Sequence, residues 1–588
     1  MTLGPDRLPT GVRLGPAGRS FDVGSFPLAA VLSPDSNRIV LVLDGWREQG
    51  IQVVDRASGA VVQTLLQPAA FIGIVFAPDG RSMYVSGGNQ DVVYRYAWAD
   101  GKASLADSII LADKPAHEGG RRYPAGLALA PDGHTLYVAE NLGDAVAVVD
   151  LGTGRVTQRL PTERYPYSVV VAHDGTVYVS AWGGHTVSVF TPGAPGALVD
   201  AGRIPVSRHP SALLLDRDGA RLFVASASTD RVDVIDTRSR RVITRLNDSP
   251  ASPTVEGSTP DALALSGDDS RLYVAEADNN AIAVFHLGRR VPGGAVPVGR
   301  VPVGWYPSAV LMTRGDTLIA VNGKGRGTAP NAANGPRPGQ PTDPPGYTLG
   351  QISGTVTFVP LPPAADLVEY TERVAHLDGW DGPAPPTNPR TLYPPFQHVV
   401  YVIKENRTYD QVLGDLRQGD GDSSLVFFPR QVSPNHHALA ERFGLWDRFF
   451  VNAEVSADGH NWSTAAYAAD YVEKTVPSNY SGRGRTYDYE GTNRGTTPPD
   501  DDDAAAPSAG YIWDLAIRKG LAVRDYGEFV VEEESRPPGD TMPMPVTATR
   551  LMAKLLCVRK SCARHQPRAA AAAACSSVTR PTLRSLTS

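Results

Sequence analysis

Two adjacent oxygen donors, Glu405 and Asn406, close an apolar run at residues 398–404, and a serine, Ser456, stands at the start of a helix-like stretch 50 residues further on. A carboxylate beside a carboxamide can share one divalent cation, because hard cations take oxygen ligands. A hydroxyl at a helix start meets unpaired N–H groups and the positive end of the helix dipole, where negative charge is favoured. That arrangement suits a serine attacking phosphorus. A cation held by Glu405 and Asn406 that also bound the Ser456 oxygen would lower its pKa and neutralise the oxygens of an in-line transfer.

Positioning these groups requires an α/β layout. Residues 398–404 read as a buried parallel strand, since a continuous apolar run bounded by polar residues fits a strand covered on both faces. In open α/β sheets the ligand crevice lies beyond the carboxyl ends of the strands, where Glu405 and Asn406 would stand. A short helix is expected near 409–416, and Ser433 and Pro434 supply an N-cap and an N1 proline for a helix over 436–443. Residues 446–455 are a second strand candidate, leading into the helix that Ser456 opens. Each candidate has a plainer reading: Glu405 and Asn406 as a solvated strand end, Ser456 as a helix cap, and His437 as a structural histidine instead of a site residue.

Upstream the period changes. From residue 26 to about 360 one unit recurs: a proline-containing lead-in, a short apolar strand, an Asp-Gly-like turn, a Leu-Tyr-Val-Ala-like strand and a third apolar strand. The turn positions Asp35, Asp79, Asp132, Asp174, Asp218, Asp268 and Gly315 lie 42 to 53 residues apart. One such unit cannot bury both its faces, so seven copies predict a seven-bladed β-propeller. Residues 18–24 resemble the strand that precedes the other lead-ins, so they are expected to close the ring on the last blade. Glu140, Asn141, His185 and Glu276 follow second strands and read as solvated blade-end residues. A Gly/Pro-rich insertion at 323–351 interrupts blade seven.

Composition narrows the field. A net charge of −6 gives no basic excess of the kind nucleic-acid binding requires. Cys557, Cys562 and Cys575 all fall near the carboxyl end, so neither a disulfide framework nor a four-ligand zinc site supports the fold. No run of about 18 apolar residues is present, and the amino terminus lacks a basic start followed by an apolar stretch.

The repeat resembles YVTN/YncE-type seven-bladed propellers across roughly residues 21–362. Glu405 through Asp410, residues 433–440 and residues 455–460 resemble the phosphoesterase family, which includes bacterial phospholipase C and acid phosphatases of the alkaline-phosphatase-like superfamily and occurs fused behind such propellers. This second resemblance covers about 396–535. It implies a hydrolase of phosphoric esters with Glu405, Asn406 and Ser456 on a divalent cation (zinc, manganese or calcium) and Ser456 as nucleophile. Other branches carry Ser/Thr-x-Pro-Asn where this chain has Ser-Ala-Asp-Gly, a departure that makes His460 a phosphate-binding partner. Relatives of this fused type imply an extracytoplasmic setting.

The expected organisation is therefore multidomain: an extension at 1–20, an all-β propeller at 21–362, a proline-rich linker at 363–395, the amino-terminal part of an α/β phosphoesterase domain at 396–535, and a basic low-complexity tail at 536–588. After His460 only His565 remains, and no Asp or Glu follows Asp540, so the later acidic ligands of the superfamily are missing. The acid-free tail suggests a change of reading frame near 535–550. A sheet without its later strands would expose residues 399–403 and 446–451. The competing reading is a non-catalytic propeller whose loop face binds a protein or a small ligand.

Overall fold

The computed structural model describes residues 6–114, 119–250, 257–288, 295–314, 317–327, 347–361, 364–382, 396–449, 451–485, 487–489, 504–526 and 528–529. Seven four-stranded antiparallel sheets form the blades: residues 27–66, 74–110, 124–161, 166–205, 210–247, 260–302 and 305–360. The first strand of each sheet packs against the first strand of the next, and that of the seventh returns to the first. This closed ring is the seven-bladed propeller that the repeat predicts.

Two sequence devices explain the regularity. Along the inner strands almost every side chain is buried, because each sheet is packed on both faces by its neighbours, so the strands read as continuous apolar runs. At the turns, the aspartates at 79, 132, 174, 218 and 268 each accept the backbone N–H two residues on, at 2.8–3.1 Å. This local bond fixes the turn without help from the core.

The seventh sheet is completed by the chain's own beginning. The strand Arg19–Asp22 pairs antiparallel with Thr355–Pro360, as expected for residues 18–24. The approach is close: a Cβ on Gly18, whose φ is +72°, would lie 2.1 Å from the Phe358 carbonyl oxygen. Deleting residues 1–24 should therefore leave the Thr355–Pro360 edge unpaired and lower the melting temperature by several degrees. Unchanged thermal denaturation would contradict this role.

Downstream of the propeller several expectations are corrected. Helix α1 (Ala364–Leu377) occupies the first half of the expected linker and packs on the strand Gly299–Pro302, burying Val374 and seating Leu367 and Tyr370 against the core. Its stretch holds no proline and carries apolar residues at helical spacing; after Pro362 and Pro363 the next proline is Pro383. In 396–529 the described residues contain helices α2 (Tyr409–Leu413), α3 (Pro434–Phe443), α4 (Ser456–Ala465), α5 (Asp470–Tyr480) and α6 (Ile512–Arg518), but no β-strand.

The buried parallel strand expected at 398–404 is not formed. Val399 and Val400 are 83% and 86% exposed, and Trp446 and Phe449 in the second strand candidate are both 82% exposed. A parallel strand exists only through its neighbours, and among the described residues no strand pairs with either segment. The α/β sheet expected for this region is therefore absent among the described residues. The tail at 536–588, residues 383–395 and most of the blade-seven insertion lie outside the described residues.

Candidate functional site

The described residues between Asn452 and Trp513 add mainly to the propeller's core: Ala457, Tyr467, Tyr471, Val472 and Val476 share one cluster with Tyr123, Tyr165 and Trp182, while Tyr511 and Trp513 join Phe529 in a small separate one. They are seated on one end of the propeller and reach all seven blades. At that end, Phe26, Tyr123, Tyr165, His209, Thr259 and Tyr306 each stand at or just before the first strand of a blade, immediately ahead of a proline, with φ between 45° and 58° and almost no exposure. Left-handed backbone is uncommon for bulky residues, so its recurrence marks a repeated structural device.

Helix α5 lies across this mouth with Asp470 through Ser478 all buried. Trp46 Nε1 of blade one donates to the Tyr480 carbonyl at 3.0 Å, and Arg483 donates to the carbonyls of Trp46 and Pro68, the latter leading into blade two. The Tyr123 and Ser478 hydroxyls meet at 3.1 Å, and Tyr165 Oη donates to Asp488 at 2.6 Å. Ser508 Oγ donates to the Ser228 carbonyl of blade five, and Thr259 Oγ1 meets Tyr467 Oη at 2.9 Å beside blade six. Blade seven contributes Lys324, whose Nζ is 3.1 Å from Glu454 and 2.6 Å from Glu473. Burial works against the Lys324 charge, yet Glu454 and Glu473 more than offset it and hold its pKa above the usual lysine range.

Helix α4 begins at Ser456, and its first turn carries the candidate chemistry. Val455 is the N-cap, and the Asp458 carboxylate accepts the backbone N–H groups of Glu454 and Val455 at 2.9 and 3.1 Å. Capping is thus done by Asp458, and the Ser456 hydroxyl is not spent on it. One turn along, on the same helix face, His460 is held between two carboxylates: its Nδ1 is 2.9 Å from Glu528 Oε1 and its Nε2 is 3.2 Å from Glu405 Oε2.

Local packing explains this convergence. Tyr401 Oη donates to the Ser463 carbonyl at 2.8 Å, laying the apolar segment along α4 and carrying Glu405 to His460. Phe529 packs with Tyr511 and Trp513 and sets Glu528 on the other side of the ring. Glu405 is about half exposed, whereas His460 and Glu528 are mostly covered, so the Glu405 side opens to solvent.

The other sequence candidates lie apart. His437 is fully buried, with Nδ1 2.8 Å from the Ser433 carbonyl and Nε2 2.7 Å from Asp415; both ring nitrogens are engaged in holding α3 to the preceding loop. Asn406 is exposed, and its carbonyl accepts from Arg407. The cation implied by the resemblance would have Glu405, Asn406 and Ser456 as donors. Among the described residues no group of three or more His, Cys, Asp and Glu side chains is arranged to hold a metal ion. One carboxylate, one amide and one hydroxyl supply too little charge and too few oxygens to complete a divalent shell.

Glu140, Asn141 and Glu276, expected as solvated blade-end residues, are instead fully buried. Arg159 grips Glu140, Arg300 grips Glu276, and Asn141 accepts from Arg485. His185 is more than half exposed, as expected. Sequence reasoning missed Glu528 and the buried charges of α5. The spacing of Asp470 and Lys474, i and i+4 on a helix, was the available signal, but the same spacing is usual for solvated pairs.

A cavity of about 430 Å³ separates α4 and α5 from blades six and seven, lined in part by Asp278, Trp305, Lys324, Trp462 and Glu473. Burial pushes the Asp278 carboxyl up to about 8, although Thr259 donates to it. The folded protein then retains a proton that the unfolded chain, titrating near the usual value of about 4, releases. This contribution to stability is complete below about pH 4 and is lost as pH rises through 8, amounting to several kcal/mol at roughly 1.4 kcal/mol per pH unit. The fall in melting temperature from pH 5 to pH 8 should accordingly be smaller in Asp278→Asn than in the wild type; an equal fall would refute the assignment.

Residues 114–228, covering blades three and four and the first two strands of blade five, match the family described as SMP-30/Gluconolactonase/LRE-like region. No curated protein sequence matches the chain. Among solved structures, hydrazine synthase of Kuenenia stuttgartiensis is similar at 21% identity, covering 51% of this chain and 93% of its own, with a TM-score of 0.42. Virginiamycin B lyase from Staphylococcus aureus is similar at 12% identity, covering 58% of this chain and 98% of its own, with a TM-score of 0.41. Among the described residues no helix is long and apolar enough to cross a membrane.

Proposed function

We propose that this protein is a hydrolase acting on ester bonds, with phosphoric esters as its substrate class and Ser456 as its nucleophile. The observation that carries the reading is the convergence of Glu405 and Glu528 on the two nitrogens of His460, one helical turn from Ser456. The Ser456 oxygen attacks phosphorus as its proton passes to Glu405, and the ester oxygen leaves as the alcohol by taking that proton; water then cleaves the phosphoserine bond, one of its protons returning to the Ser456 oxygen as phosphate is released. The first N–H groups of α4 and the His460 ring, when protonated, donate to the phosphoryl oxygens. Glu405, on the open side of His460, is the carboxylate available to take the serine proton. Hydrolysis also accords with the name of the family matched by residues 114–228, since a gluconolactonase opens an ester.

The test is release of p-nitrophenol from the phosphate monoester and diester, with EDTA and then with zinc, manganese or calcium added. Wild type is run beside Ser456→Ala and His460→Ala. Turnover by the wild type that both variants lose supports the assignment, and equal rates in all three oppose it.

The cavity of about 430 Å³ favours a second reading, a small-molecule binding site between the propeller and its cover, because pockets of this size commonly hold such ligands.

A further inference from the structure

The mouth of the propeller presents a carboxylate that the propeller itself does not satisfy. Asp261, in the first strand of blade six, is 2% exposed, and among the described residues its one partner is Lys474 of α5, whose Nζ lies 3.0 Å from Oδ2. Around the same ammonium stand two rings from blade four: Tyr167, with its centroid at 5.5 Å and its hydroxyl oxygen at 3.2 Å, and Trp182, with its centroid at 6.0 Å. Asp470, one turn earlier on α5, completes the enclosure at 3.0 Å. Asp470 is held in turn by Trp182 Nε1 at 3.2 Å and Tyr306 Oη at 2.7 Å.

A carboxylate opposed by aromatic faces in a dry site is the chemistry that recognises an organic cation. Burial drives the Asp261 carboxyl towards its protonated form and the Lys474 ammonium works against this, so the carboxylate charge at this place depends on a cation beside it. Lys474 supplies that cation from helix α5, outside the propeller.

We propose that the axial mouth of the propeller is a receptor for a primary alkylammonium group, and that Lys474 occupies it in cis, so that α5 (Asp470–Tyr480) acts as a tethered ligand covering the site. The assignment is independent of the ester chemistry at Ser456.

The test uses the full chain carrying Lys474→Ala, which removes three methylenes and the ammonium, with n-propylammonium chloride as probe. The variant should melt several degrees below the wild type. The amine should raise its melting temperature saturably by about 3 °C or more, whereas 1-propanol, or sodium chloride at equal ionic strength, should not. Wild type, already occupied, should not respond, and adding Asp261→Asn to the variant should abolish the rescue. Rescue by the alcohol to the same extent, rescue that survives Asp261→Asn, or no rescue by the amine would each overturn the proposal. If Lys474→Ala does not accumulate in folded form, the same comparison is made on refolding yield from urea. Yield restored by the amine and not by the alcohol supports the receptor, and equal yields overturn it.

Discussion

Ser456→Ala is expected to lower kcat/KM for p-nitrophenyl phosphate by roughly three orders of magnitude while leaving the fold intact. The two halves of this expectation have separate causes. Activity falls because Ser456 is the one hydroxyl in the first turn of α4, where the helix amides and His460 can hold a phosphoryl group. The fold survives because Asp458 caps the helix and the Ser456 side chain is not needed for that purpose. Steady-state kinetics with thermal denaturation on the same samples separates them. A variant that keeps its melting temperature and its rate removes Ser456 from the mechanism.

Asp470→Ala should destabilise the protein by about 3–5 kcal/mol, the usual consequence of breaking a buried charged pair on one side. Asp470 is 1% exposed and accepts from Trp182, Tyr306 and Lys474; alanine leaves all three donors short of a partner inside the mouth. Burial works against the Lys474 charge, and it is Asp261 and Asp470 that keep its pKa well above the usual lysine range. Removing one of them therefore also weakens the hold of α5 on blade six. Denaturant unfolding measures the loss, and a change below about 1 kcal/mol would place the charge outside the folded interface.

The propeller was legible because its information is local and repeated. Each turn aspartate bonds a backbone N–H two residues away, and each inner strand carries its own apolar run, so seven imperfect copies reinforce one reading. Closure by residues 18–24 was legible for the same reason, since that strand copies its counterparts. Residues 398–404 misled because an apolar run states a demand for burial without naming what will meet it. Their pattern is that of a buried parallel strand, but among the described residues no partner strand stands beside them.

Helix α5 shows the converse. Asp470, Glu473 and Lys474 would ordinarily mark a solvated face, and only the carboxylates and aromatic rings of distant blades make them interior. Of the candidate site, Glu405 and Ser456 were singled out by residue type and position, and His460 by the family resemblance. Glu528 was not, because its place depends on how Phe529 packs against Tyr511 and Trp513. His437 was legible as an open choice, which the occupancy of both its nitrogens turns towards a structural role.

Helix α5 and the described residues around it, 452–485, are an integral cover of the propeller mouth. Amide hydrogen exchange followed by mass spectrometry tests this directly, since protection reports the free energy of local opening. Peptides covering Asp470–Tyr480 should exchange as slowly as those of the inner strands Thr135–Glu140 and Arg271–Glu276, and should lose protection together with them as denaturant rises. Exchange of the α5 peptides within seconds, while the propeller strands stay protected, would contradict the account.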